Sequence, residues 1–402
     1  MTPSHTAAIP AQPAGLSAGL TFVMAAACGL IAANLYYAQP LAGPIAESIG
    51  LPVHATGLIV TLTQIGYGLG LLFLVPLGDL VENRRLILTM IGVVTLALIA
   101  AGLSTTPGPF LAASLAIGLG AVAVQMIVPF AAGLAPDRAR GKVVGNVMSG
   151  LMVGIMLARP VSSFIAQFAS WHAVFFLSAA VMVGLATVLA TQLPRRAPST
   201  RLGYFGLIGS MGRLLVSQPV LQRRAAYQAF QFSSFSLFWT VTPLYLAGPA
   251  FGLSQTGIAL FALAGVAGAI ASPIAGRLAD RGLAKPATAF GLLSGVAGYL
   301  ITHIAPDGSA IALALLTLAA ILIDFGVTMT LVTGQRAIYG LGADLRSRLN
   351  GLFMAIFFTG GAIGSAVGAW AYAEGGWALA SMIGGALPLT AFIVFLTERR
   401  SR

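Results

Sequence analysis

Apolar runs of about 20 residues recur along the whole chain, and each is long enough to cross the hydrocarbon core of a bilayer. Of the 402 residues 58% are hydrophobic and only 8% are charged, and mean hydropathy is +0.93. A soluble all-helical protein of this size would need charged outer faces that this sequence lacks. The chain therefore reads as an all-α polytopic membrane protein. Twelve spans are expected, at about residues 17–44, 55–78, 86–105, 109–135, 143–168, 172–193, 223–246, 254–278, 286–304, 309–334, 349–371 and 377–396. Gly supplies 49 residues, which suits helices that approach closely in lipid, where no hydrophobic drive brings them together.

Charge placement orients these spans. The 21 Lys and Arg residues fall at 84–85, 138–142, 195–224, 277–285, 336–348 and 399–402, with Arg159 as the exception. If the spans alternate, those clusters share one side. The opposite loops carry Glu47, His54, His172, His303, Asp307 and Glu374 and no Lys or Arg. The positive-inside rule then places both termini in the cytoplasm. The net charge of +11 reports orientation in a lipid bilayer, and no soluble basic domain is present to hold nucleic acid. Residues 1–16, rich in Pro and Ala, are expected to be a disordered tail. No Lys or Arg precedes Arg84, so the first run lacks the basic start of a cleaved signal peptide. Cys28 is the single cysteine, which excludes an intramolecular disulfide.

The chain also repeats itself. Asp79, in Leu77-Gly78-Asp79-Leu80-Val81-Glu82-Asn83-Arg84-Arg85, and Asp280, in Gly276-Arg277-Leu278-Ala279-Asp280-Arg281, lie 201 residues apart (280 minus 79). Arg140-Gly141-Lys142-Val143-Val144-Gly145 matches Arg346-Ser347-Arg348-Leu349-Asn350-Gly351, Trp171 matches Trp377, and Gly145-x8-Gly154 returns as Gly351-x8-Gly360. Repetition in one direction over half the length points to duplication. Two six-helix halves are expected, residues 17–193 and 223–397, joined by a basic linker at 194–222 and followed by a short tail at 398–402. Within the linker, Leu202 to Val216 has the composition of a basic interfacial helix.

The two Asp turns have a physical reading of their own. A helix N-terminus presents unpaired N–H groups and partial positive charge, a partner for a carboxylate. Asp79 is expected to dock on the start of span eleven and Asp280 on the start of span five, with Arg84 or Arg85 pairing with Asp137 at the end of span four. Such contacts would close the cytoplasmic side. The alternative is that these charges only satisfy topology.

These landmarks resemble the major facilitator superfamily. Gly276, Leu278, Ala279, Asp280 and Arg281 follow that family's turn after the second helix of a half. The first-half turn departs from it at Val75, Leu80 and Glu82 but keeps Asp79, Arg84 and Arg85. The tract Asn34-Leu35-Tyr36-Tyr37-Ala38-Gln39-Pro40 and the run Arg346–Gly351 resemble bacterial efflux-type members. Gly145-x8-Gly154-x3-Ala158-Arg159-Pro160 resembles the antiporter signature of drug exporters, with Ala158 and Arg159 as departures; ordinary small-residue packing explains the same spacing. The resemblance implies a proton-coupled antiporter of the bacterial inner membrane that works by alternating access as a monomer.

Two ionisable residues lie deep in the bilayer: Asp324 near the middle of span ten and Arg159 in span five. Burying either is costly unless it faces water or a partner, so each marks a site by default. Desolvation disfavours the charged form of a carboxylate, a property that proton carriers use. Asp324 is expected to couple protons, with Arg159 as its modulator or as an anion-binding group; a structural pair between the two is the competing reading. Asn34, Tyr37, Gln39, Gln64, Gln125, Gln228, Gln231 and Trp239 are expected to line a cavity for a small amphipathic or neutral solute. The four His residues are scattered and no Cys–His cluster or phosphate-cradling loop occurs, so no metal, cofactor or enzyme activity is expected. Export of small organic molecules against protons is the favoured function; a proton-driven importer would use the same scaffold.

Overall fold

The computed structural model describes residues 17–136, 139–195, 203–342 and 345–398, and every regular element among them is helical. Twelve spans follow in order, at the places the apolar runs dictate. Span one is Ala18–Ala33 continued by Ala42–Ile49, span two is Val53–Asp79, span three Asn83–Leu103, span four Pro107–Leu134, span five Arg140–Phe168 and span six Trp171–Gln192. Span seven is Pro219–Ala247, span eight Gln255–Asp280, span nine Ala284–Ile301 and span ten Ala310–Tyr339. Spans eleven and twelve form Arg346–Leu396, divided at Gly375 and Gly376. Gly376 has φ +60°, a backbone that only glycine adopts without strain, so the chain reverses there.

Local chemistry starts these helices. Ser17, Ser170, Ser254 and Ser309 are N-caps whose hydroxyls accept from backbone N–H groups three residues on, satisfying donors that would otherwise lie orphaned. Pro107 and Pro219 occupy the first helical position, where a missing N–H costs nothing. Between the halves runs a further helix, Tyr204–Ser217. Its Leu207, Met211 and Leu214 are buried, and Met211 and Leu214 pack with Leu349, Leu352 and Phe353 of span eleven.

In the first half span one packs on five, two on four and three on six; in the second, seven packs on eleven, eight on ten and nine on twelve. Backbone-to-backbone approach makes the first of these pairs possible. A Cβ on Gly154 would lie 2.1 Å from the carbonyl oxygen of Gly29, and one on Gly150 would lie 2.3 Å from that of Ala25. The second half repeats the device: Gly360 stands 2.3 Å from the Ala229 oxygen and Gly364 2.0 Å from that of Ser233, measured the same way. With neither helix able to gain hydrophobic energy over lipid, such close dispersion contact is what holds them. The halves then meet along spans two and eleven and along span five with Gln255–Ala262 and Leu263–Val266 of span eight. The rest of span eight packs on span ten.

Candidate functional site

Two spans lose helical regularity at the same depth. Span one turns irregular between Ala33 and Ala42, and span eight passes through a tight 3-10 turn at Leu263–Val266. Non-helical backbone at membrane depth is tolerated where it is enclosed by protein or lines a cavity. Tyr36 and Gln39 sit in the first interruption, Gly265 in the second. Both interruptions flank Arg159.

Arg159 is 3% exposed. Its Nε donates to Gln39 Oε1 at 2.7 Å. Its guanidinium carbon lies 4.4 Å from the ring centre of Trp239, 5.0 Å from Tyr36 and 5.2 Å from Phe235. Three aromatic faces thus replace part of the hydration that a buried cation loses. Asp324, 5% exposed, accepts from the Trp239 indole N–H at 3.2 Å through Oδ1. The two charges act on one another through space but share no hydrogen bond, and Arg159 Nη2 and Asp324 Oδ2 are both buried without a partner. Gly265 lies between them: a Cβ there would be 3.1 Å from Asp324 Oδ2 and 3.7 Å from Arg159 Nη1.

Tyr36, Arg159, Phe235, Gly265 and Asp324 form one end of a cavity of about 460 Å³ between the halves, with Gln39 and Trp239 packed behind that wall. From there the walls run along Met148, Met152 and Met156 of span five, Phe357 and Phe358 of span eleven, and Gln125, and reach Gln335, Tyr339 and Asn350. The last three are linked by hydrogen bonds of 3.1 and 2.9 Å to Asn350 Oδ1 and stand beside Arg336 and Arg346, at the end of the bundle that carries the basic loops. Toward the opposite end the halves are sealed. Thr61 donates to the Ala362 carbonyl at 3.0 Å, Ser365 to the Gly57 carbonyl at 3.0 Å, and Gln64 to Ser236 at 2.9 Å. A Cβ on Gly57 would stand 2.2 Å from the Ser365 oxygen, so the seam is closed backbone against backbone.

Of the residues singled out for the cavity, the structure gathers Gln39, Gln125 and Trp239 with Arg159 and Asp324; Gln125 donates to Tyr67 at 3.0 Å. The others stand elsewhere. Asn34 bonds within the first half, to the Leu30 and Ile31 carbonyls and Ser178. Gln64 belongs to the seam. Gln228 and Gln231 donate to the Val327 and Gly291 carbonyls and brace span seven against ten and nine. Tyr37 lines a separate groove between spans one and five. Asn34, Gln64, Gln228 and Gln231 each place at least one end of the amide on a protein partner, as buried polar groups in a helix bundle do.

The turns at the basic end can be located as well. Asp79 has Arg348, in the first turn of span eleven, as its charged neighbour. Asp280 pairs with Arg336 of span ten, in its own half. Arg84 donates to the Ala190 carbonyl at the end of span six, where helix carbonyls lack partners, and Arg85 approaches Glu82 at 3.6 Å. Asp137, the partner expected of Arg84 or Arg85, lies outside the described residues. Gly276 and Arg281 lie at the end of span eight and in the turn that follows it. The methionine stripe at 148, 152 and 156 escaped notice in the sequence, although its spacing of four, continued one turn on by Arg159, places all four on one face.

Two like six-helix halves enclosing one cavity, sealed at one end, are the architecture of a membrane transporter. The sequence profile of the Major Facilitator Superfamily matches residues 20–340 and 228–402. The chain belongs to that superfamily, as the Asp turns implied. It is 38% identical over 380 residues to a protein named "Uncharacterized transporter YgaY" of Escherichia coli O157:H7, covering 94% of this chain and 95% of the other. It is 33% identical over 381 residues to "Probable transporter SCO4007" of Streptomyces coelicolor, covering 93% and 86%. Among solved structures, the nucleoside transporter NupG superposes with a TM-score of 0.74 at 13% identity, covering 95% of this chain and 100% of that one. A bacterial homolog of the human lysosomal transporter Spinster, inward-facing and occupied, gives 0.74 at 14% identity, covering 94% and 96%. At such identities these two likenesses speak for the fold alone.

Proposed function

We propose that the chain is a proton-coupled secondary transporter that exports small amphipathic organic molecules across a bacterial inner membrane by alternating access. The observation that carries this reading is Asp324, a carboxylate enclosed among spans, with one free oxygen, at the sealed end of a cavity that reaches toward the basic loops. With those loops in the cytoplasm, the cavity faces the interior, the side from which an exporter loads. The aromatic and methionine walls suit an apolar body of variable shape. A proton on Asp324 and a substrate group on the same carboxylate exclude one another, which ties the two movements together. Asp79 beside span eleven and Asp280 beside span ten hold the conformation seen here or its opposite, according to which partner each takes as the halves rock, with Arg84, Arg85, Asp137, Gly276 and Arg281 completing those turns.

The test follows retention of a panel of dyes and antibiotics in cells that express the wild type or Asp324→Asn at matched membrane levels, with and without an uncoupler. Lower retention with the wild type alone, abolished by the uncoupler, is the expected result. Higher retention with the wild type would mean uptake and replace the exporter with an importer. Coupling that survives in Asp324→Asn would remove the proton from this residue.

A further inference from the structure

Arg159 and Asp324 together contain more than a proton site requires. A proton carrier needs one carboxylate. Here a cation of opposite sign is held beside it, and each keeps one buried polar atom without a partner, Nη2 on the guanidinium and Oδ2 on the carboxylate. Buried charged groups are ordinarily satisfied, because leaving one unpaired forfeits its hydration for nothing. The two do not satisfy each other although both border the same notch. Three aromatic rings and Gln39 fix the guanidinium, and the Trp239 indole fixes the carboxylate. Gly265, by having no side chain, keeps the cavity wall between them clear: a Cβ there would stand 3.1 Å from Oδ2, 3.3 Å from the Trp239 ring and 3.7 Å from Nη1.

We infer that this notch is the head-group subsite for an apolar zwitterion of the α-amino-acid type, which rests on the reading that the cavity carries a small amphipathic molecule. The ammonium of the ligand donates to Asp324 Oδ2, and the Arg159 guanidinium donates to its carboxylate. Because carboxylate and guanidinium flank the same stretch of cavity wall, a head with ammonium and carboxylate on one carbon spans both. A simple cation leaves Arg159 Nη2 without a partner, and a simple anion leaves Asp324 Oδ2 without one. Each therefore forfeits half of the charge-assisted hydrogen bonding and brings a net charge into a low-dielectric site. The apolar body lies toward Met152, Met156 and Phe357, away from the sealed seam.

Purified full-length protein in nanodiscs at pH 7 is titrated calorimetrically with a matched set. The set comprises L-phenylalanine, phenethylamine (the cation alone), 3-phenylpropionate (the anion alone) and N-acetylphenylalaninamide (no charge). L-phenylalanine is expected to bind at least tenfold more tightly than each of the others. Gly265→Ala, whose new methyl crowds the cavity wall between the two charged groups while leaving every charge in place, is expected to lose at least tenfold of that affinity, with its unliganded thermal midpoint close to that of the wild type. Equal or tighter binding of any of the other three, binding of none, or unchanged affinity in Gly265→Ala overturns the subsite. Affinity here is read without movement, direction or a proton gradient. Selective binding with uncoupler-insensitive flux would therefore sink only the proton-coupled reading, and uncoupler-sensitive export without zwitterion preference would sink only this one.

Discussion

Gly154→Leu is expected to yield little or no folded protein, while Gly145→Leu, nine residues earlier in the same sequence pattern, is expected to fold like the wild type. A Cβ on Gly154 would stand 2.1 Å from the Gly29 oxygen and 2.4 Å from its Cα, and the obstacle is main chain, which has no rotamer to yield. Spans one and five would have to part by more than an ångström along their shared face. That separation forfeits the close contacts that are their only adhesion in lipid. Overpacking a well-filled core costs about 1–3 kcal/mol even where side chains can adjust; a leucine set against backbone exceeds that, in a fold whose whole stability is about 5–15 kcal/mol. Around Gly145 nothing lies within 4 Å of the added atom. Detergent-extracted protein run on size-exclusion chromatography, followed by thermal unfolding, checks both. Equal yields and midpoints for the two variants would show that the approach of spans one and five is not what holds the first half together.

That contrast marks what the sequence could and could not convey. Gly145-x8-Gly154 reads as one motif, yet only its second glycine meets a neighbour, because which face of span five turns toward span one is a property of the assembled half. The twelve spans were legible because an apolar run of membrane-spanning length has few other uses. Arg159 and Asp324 were legible for the complementary reason, that charge at such depth is rare without a purpose. The amides were not. Gln228 and Gln231 meet carbonyls of spans ten and nine, whereas Gln39 meets the Arg159 guanidinium; each bonds through one end of its amide, and the demand for a partner does not name which partner it will be. Met148, Met152 and Met156 stayed hidden because an apolar stripe on a membrane helix suits lipid and cavity equally. The bond from Asp280 to Arg336 was out of reach for a different cause: both residues sit among many charges at one end of the bundle, and which of those charges meet is set by how spans eight and ten pack.

The deepest loss is expected from Arg159→Met, and its nature is revealed by a second substitution. Methionine retains much of the volume between Trp239, Tyr36 and Phe235 but removes the cation that faces Asp324, along with the donor to Gln39. Removing one member of a buried charge pair typically costs about 3–5 kcal/mol, most of it the penalty of the charge left behind. Transport is lost with it. If that account holds, Arg159→Met combined with Asp324→Asn unfolds at a higher temperature than Arg159→Met alone, since the second change removes the stranded charge, while transport stays absent. Arg159→Lys falls between: the ammonium keeps the charge but lacks the planar fork that spreads over three rings and still reaches Gln39. Unfolding free energies of the wild type, Arg159→Met, Asp324→Asn and the double variant in nanodiscs form a double-mutant cycle whose interaction energy is the coupling between the two side chains. A cycle that closes with no coupling would mean that Arg159 and Asp324 sit in one cavity as independent charges, and the reciprocal exclusion of proton and substrate at Asp324 would have to operate without the guanidinium.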